Sequence, residues 1–400
     1  MAHEARTIRT RGAMPRYCLQ NIAAQAAFTP VTMAASFMIG RDISSSAAGV
    51  ALAVGNVLAL AVQPWVSSTA DGRRGLTIAQ LSLGASLGSL VAFAGGLLSP
   101  GPVLTMLFVV LLYMFFQNLL ALVNSVSVYY INRGARINYG VARGLGSASY
   151  ACVAAVIGVA AERFGPNAYF LIGAVLSAVV ALAMMLLPTP KDVPSLREED
   201  AGDEGRDVSY GEFLRGNRKF LLLMLGTSMA FIMESAVGTY ALPIVESVGG
   251  GHAEMGFAMA LQAILELPGM WGYDLLERRF RTSSLLMFAT LMYAVKGLAF
   301  CVATDIAMVY VAYGFQMVSF SIWTPASISY ANKFFREGNK NKAIGLFSLV
   351  FSIAGVVASP LAGLVIDGFG VTAMLVSVTV VAAVGCVLAR MGLEREGSAS

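Results

Sequence analysis

A chain of 400 residues that is 57% hydrophobic and only 12% charged, with a mean hydropathy of +0.71, carries too much apolar side chain for a water-soluble fold. Soluble domains hold about 25% charged residues, so lipid must be the solvent for most of this chain. The net charge of +4 does not mark a nucleic-acid binder, because the basic residues are not gathered on one soluble face.

Segments of about 20 apolar residues, long enough to cross a bilayer, follow one another from the first basic tail onward. The tail runs to Arg16, and the apolar run behind it is too long for a signal-peptide core, so it reads as a retained helix. The predicted spans cover 17–39, 47–69, 76–98, 102–131, 140–161 and 167–187, then 219–247, 254–276, 283–302, 305–334, 341–366 and 371–390. Turns such as Ser99-Pro100-Gly101-Pro102 punctuate them. Residues 188–218 differ: Pro188, Pro190 and Pro194 precede the acidic run Glu198, Glu199, Asp200, Asp203, Glu204, a polar linker. The expected organisation is a six-helix bundle over 1–187, this linker, and a second six-helix bundle over 219–400. Of the 27 lysines and arginines, all but Arg41, Arg143, Arg163 and Lys296 fall in the two tails and in every second loop. That bias predicts both termini and the linker on the cytoplasmic side of a bacterial inner membrane.

The halves repeat. Tyr130-Ile131-Asn132-Arg133 ends the fourth span and Tyr330-Ala331-Asn332-Lys333 the tenth. Gly144-Leu145-Gly146-Ser147 returns in the eleventh span as Gly345-Leu346-Phe347-Ser348, and Glu162-Arg163-Phe164-Gly165 as Asp367-Gly368-Phe369-Gly370. Equal helix numbers and orientation make the repeat parallel, about an axis along the membrane normal.

Ionisable groups at membrane depth cost several kcal/mol unless paired or hydrated, and they mark solute or ion pathways. Four lie at depth, away from the span ends: Arg143, Glu234, Glu266 and Lys296; Glu246, near the outer end of the seventh span, can reach water. Two acids and two bases are also consistent with mutual neutralisation alone. Glu266, in Leu265-Glu266-Leu267-Pro268, has apolar neighbours that favour its neutral form, as a proton carrier requires; Glu234 is the second candidate, or the partner of Lys296. Arg143 and Lys296 are expected to face a water-filled cavity. Amides at depth include Gln25, Gln117, Asn124, Gln262 and Gln316, which suit a hydroxyl-rich solute or glue helices together by interhelical hydrogen bonds. Trp323 offers a ring for a sugar or base to stack on, or a packing surface.

Two six-span halves, with acidic and paired-arginine loops after the second and eighth spans, resemble the major facilitator superfamily over nearly the whole chain. The family's loop signature G-x-x-x-D-R-x-G-R-R is degraded here to Ser67-Ser68-Thr69-Ala70-Asp71-Gly72-Arg73-Arg74. The resemblance implies a gating loop of Asp71, Arg73 and Arg74. Tyr139-Gly140-Val141-Ala142-Arg143-Gly144-Leu145-Gly146-Ser147 is similar to the Y-G-x-x-R-x-x-G-S of the lactose-permease-like and nucleoside-permease-like proton symporters. Glu266-Leu267-Pro268 is similar to their E-[IL]-P. That likeness implies substrate contact by Arg143, substrate–proton linkage at Glu266, and Lys296 in the place of an arginine. The pattern's helix 10 histidine and glutamate are missing: Gln316 stands near the former, no carboxylate follows Asp305 until Glu337, and Asn124 replaces a usual acid.

The expected function is proton-coupled symport of a sugar, glycoside or nucleoside by alternating access, through a monomer whose partners are solute, protons and lipid. The competing reading is efflux of drugs or metabolites by proton antiport, whose G-x-x-x-G-P-x-x-G-G motif the fifth span lacks. A third is a sensor on a transporter scaffold. Enzymatic activity is not expected: there is no nucleotide loop or triad, and His3 and His252 sit in a tail and an outer loop. Cys18, Cys152, Cys301 and Cys386 form no C-x-x-C pair, so no metal and no cofactor are expected.

Overall fold

The computed structural model of the protein describes residues 12–69, 76–131, 138–186, 210–335 and 337–394. Asp71, Arg73 and Arg74 of the expected gating loop, and most of the expected linker, lie outside the described residues. Among those residues the regular elements are helices: α1 (Ala13–Thr32), α2 (Ala34–Ile39), α3 (Ser45–Ser68), α4 (Ile78–Leu98), α5 (Pro102–Ile131), α6 (Tyr139–Phe164), α7 (Asn167–Met185), α8 (Tyr210–Gly216), α9 (Arg218–Thr239), α10 (Ala241–Glu246), α11 (His252–Trp271), α12 (Tyr273–Arg279), α13 (Thr282–Cys301), α14 (Ile306–Gly314), α15 (Phe320–Phe334) and α16 (Glu337–Gly392). Nine stretches among the described residues are long and apolar enough to cross a membrane, one of them Lys342–Gly392. Gly370 breaks that stretch in two. Each predicted span coincides with a helix or a broken helix.

The breaks are where sequence periodicity misleads. Span seven stops at Tyr240 (φ −106°, ψ 33°) and restarts as α10. Pro243 follows the break, and its ring has no N–H to give and crowds the carbonyl four residues back, which disfavours a continuous helix there. Span ten breaks between α14 and α15, where Phe315–Met317 forms a single 3₁₀ turn followed by Ser319 at φ −95°, ψ −87°. A short 3₁₀ stretch inside a long helix often marks a functional hinge.

Packing divides the chain into two units, Met1–Phe37 with Val54–Ser195, and Met38–Ala53 with Leu196–Ser400. In the first, α1 packs on α5, α6 and α7, and α4 on α5 and α7. Its apolar centre includes Phe37 stacked on Phe170 at 3.6 Å, with Phe93 edge-on to Phe170 at 5.1 Å. In the second, α16 packs on α9, α13 and α15, and α13 on α14 and α15. Here Phe231, Trp323, Phe347 and Phe351 interlock edge to face at 4.4–5.7 Å. Burying such rings is the largest favourable term each offers.

Within the second unit the start of α3 is held tightly. Asp367 accepts from the backbone N–H of Ser45 (3.0 Å) and Ser46 (2.8 Å), placing a carboxylate on the positive end of that helix. The Tyr240 hydroxyl lies 2.9 Å from the Ser45 carbonyl and 2.5 Å from that of Ser359. Gly49 faces the Ser359 carbonyl too closely for any Cβ. At one edge Lys333 and Glu277 pair at 2.9 Å. Burial pushes the Glu277 carboxyl up, but the hydrogen bonds from Lys333 and Thr282 outweigh it and leave it below its ordinary range.

Candidate functional site

Four elements of the second unit bring five polar side chains into one chain of contacts. Gln262 and Glu266 are four residues apart on α11 and therefore share a face. Glu234 comes from α9, Lys296 from α13, and Gln316 from the 3₁₀ turn. Gly269, three residues beyond Glu266, lets α11 approach that turn: a Cβ there would lie 2.5 Å from the Met317 carbonyl and would strike the Ser321 hydroxyl.

The contacts run in order. Gln262 Nε2 donates to Glu234 Oε1 at 3.2 Å. Lys296 Nζ donates to Glu234 Oε2 at 2.7 Å and to Gln316 Oε1 at 2.6 Å. Gln316 Nε2 donates to Glu266 Oε1 at 2.9 Å. The Lys296 ammonium also sits 5.8 Å from the centroid of the Tyr313 ring, a cation–π distance. Lys296 is 0% exposed and Gln316 1%, whereas Glu234 and Glu266 are half-buried.

Burial of this kind would be prohibitive for a lone ammonium, and the geometry explains why it is tolerated. Two charge-assisted bonds and an aromatic face replace water around Lys296. Its charge is cancelled by Glu234. The set holds one further carboxyl, that of Glu266, which accepts from the Gln316 amide.

One expectation is corrected here: Lys296 does not face a water-filled cavity. Its ammonium is consumed by Glu234 and Gln316. Trp323 is likewise buried, 1% exposed, among Phe231, Phe347 and Phe351, so its ring is occupied by packing rather than offered for stacking.

In the first unit Arg143 is half-buried, with Nη1 3.4 Å from the Ser147 hydroxyl one turn on. Gln25 packs beside Gly146, where a Cβ would come within 2.8 Å of its Cγ. Gln117 Nε2 donates to Asn56 Oδ1 at 3.2 Å, tying α5 to α3. Neighbouring Asn118 donates to the Ala59 carbonyl at 3.3 Å, and Gln20 to the Ala183 carbonyl at 3.4 Å, as interhelical glue. Asn124 is exposed on α5. Sequence reasoning missed Tyr313, whose signal was its spacing, three residues before Gln316.

Residues 23–381 match the MFS_1 like family. The chain is 26% identical to a maltose permease of Geobacillus stearothermophilus over 313 residues, 77% of this chain and 75% of that protein. Among solved structures, the nucleoside transporter NupG superposes with a TM-score of 0.79 at 13% identity, covering 96% of this chain and 98% of that one. An auto-inhibited POT family peptide transporter superposes with a TM-score of 0.68 at 12% identity, covering 95% of each chain.

Proposed function

Because the chain belongs to the MFS_1 like family of major facilitator transporters, we propose that it is a secondary active transporter carrying a sugar, glycoside or nucleoside together with protons across the bacterial cytoplasmic membrane by alternating access. The relatives named for maltose and nucleosides support the solute class. The observation that supports proton coupling is the chain of contacts Gln262–Glu234–Lys296–Gln316–Glu266, with Lys296 and Gln316 buried at its centre. In this reading Glu234 is taken up by Lys296, and Glu266, bonded to the Gln316 amide, is the carboxyl that exchanges a proton with the solute pathway.

In this mechanism solute binds when Glu266 is protonated. Release of that proton weakens solute affinity, and the linkage is reciprocal: solute raises the affinity for the proton. Arg143, with the amides of Gln25, Gln117 and Asn124, is the solute-holding set of the first unit; Gln262 serves the second. Asp71, Arg73 and Arg74 form a gating loop, and the protein acts as a monomer.

The test is transport by reconstituted protein, with radiolabelled maltose and uridine as probes and an imposed pH gradient. The Glu266→Gln variant should exchange solute across the membrane yet fail to concentrate it. Accumulation equal to wild type, with unchanged pH dependence, would show Glu266 to be structural.

A further inference from the structure

Gln316 touches both the ion pair and Glu266, and its chemistry leaves it a single orientation. An ammonium donates and cannot accept, so the amide oxygen must face Lys296. The amide nitrogen is thereby turned on Glu266, and the distances of 2.6 and 2.9 Å fit that arrangement. The 3₁₀ turn and the close approach at Gly269 fix the position of the amide. At 1% exposure, water does not compete for it.

An N–H donor aimed at a carboxylate oxygen favours the charged form and opposes a proton on that oxygen, because O–H and N–H would then confront each other. We propose that Gln316 is a positioning residue for proton coupling: locked by Lys296, it holds Glu266 ionised and directs the incoming proton to Oε2, the carboxyl oxygen that does not face it. The step forms an O–H bond on Oε2 and leaves Oε1 as the carbonyl acceptor of the same Gln316 N–H. An amide that never titrates thus links the charged pair to the proton site. This rests on the reading of Glu266 as the proton-coupling residue.

The other ionisable groups around this point are Glu234 from α9, Lys296 and Tyr293 from α13, and Tyr313 from α14. Charges elsewhere on the packed elements are engaged or outside. Lys333 of α15 holds Glu277 of α12, Glu254 caps the start of α11 through the Gly251 N–H, and Asp367 of α16 caps α3. Asp274, Arg278 and Arg279 are exposed.

The test needs no solute. Purified protein in lipid is titrated while infrared difference spectra follow the carboxylic C=O band that Glu266→Gln removes. Gln316→Met keeps the side chain's length and deletes the donor. The band should then persist to higher pH, its midpoint moving up by about one unit, the size expected when a hydrogen bond to an ionised group is lost. Gln316→Asn, one methylene too short to reach both partners, should move it the same way. Midpoints equal to wild type in both variants would overturn the proposal while leaving Glu266 as the proton site. Absence of any titrating band assignable to Glu266 would overturn the reading of Glu266 itself, and the proposal with it.

Discussion

Lys296 shows how far a single residue can be read from sequence and where the reading stops. A lysine in an apolar run announces that it has a partner, since an unpaired ammonium there is too costly to keep. Sequence also narrowed the partner to two mid-span acids, Glu234 and Glu266, and left Glu234 as either a proton carrier or that partner. What it could not supply was dryness. The expected water-filled setting gives way to complete burial, because Gln316 and the Tyr313 face complete a shell that distant spans contribute. The pair's energetics follow from that burial. Removing one member of a buried pair strands a charge, at a cost of about 3–5 kcal/mol, whereas removing both leaves no stranded charge. Lys296→Met alone should therefore lower stability by roughly 3 kcal/mol. The double variant with Glu234→Gln should recover part of the loss. Thermal unfolding in detergent measures this, and strictly additive losses would mean the two side chains act independently.

Hydrophobic runs revealed the long helices, since about 20 apolar residues have few alternatives in lipid, but not the short polar α8, which falls in the expected linker. They did not reveal the breaks, because a broken helix keeps the same composition as a whole one. The most consequential break, at Phe315–Met317, carries Gln316, and its local sequence Gly314-Phe315-Gln316-Met317 contains no proline. Its cause lies partly across the packing interface. Gly269 on α11 approaches the turn so closely that the Met317 carbonyl occupies the space of a side chain. A backbone carbonyl cannot swing aside as a side chain can. Gly269→Ala should therefore force α11 and the turn apart, destabilising the fold by about 1–3 kcal/mol. The same separation should weaken the bond from Gln316 to Glu266, so pH dependence of uptake should change along with thermal stability. An alanine variant with wild-type melting would show that the turn can yield.

At the scale of the whole molecule the duplication was legible in short motifs, and the backbone repeats with them. Gly165 (φ 80°, ψ 177°) and Gly370 (φ 85°, ψ 173°) adopt nearly the same left-handed conformation at matching places in the two halves. Each follows a phenylalanine that is about four-fifths exposed, Phe164 at 80% and Phe369 at 81%. Two copies of one signature with one backbone solution and one exposure argue that the halves were built on a common plan. A parallel plan has a topological consequence. With an even number of spans per half, both halves enter the membrane from the same face, and the basic residues crowd every second loop. The positive-inside rule therefore predicts residues 188–218 and both tails on the cytoplasmic face and Arg163 outside. In a background with Cys18, Cys152, Cys301 and Cys386 replaced by serine or alanine, Asp200→Cys should react with a membrane-impermeant maleimide only after cells are permeabilised. Arg163→Cys, at an exposed position near the end of α6, should react in intact cells. Labelling of the Asp200→Cys variant in intact cells, with protection of the Arg163→Cys variant, would invert the orientation. Labelling of both would break the even-span count on which the parallel repeat depends.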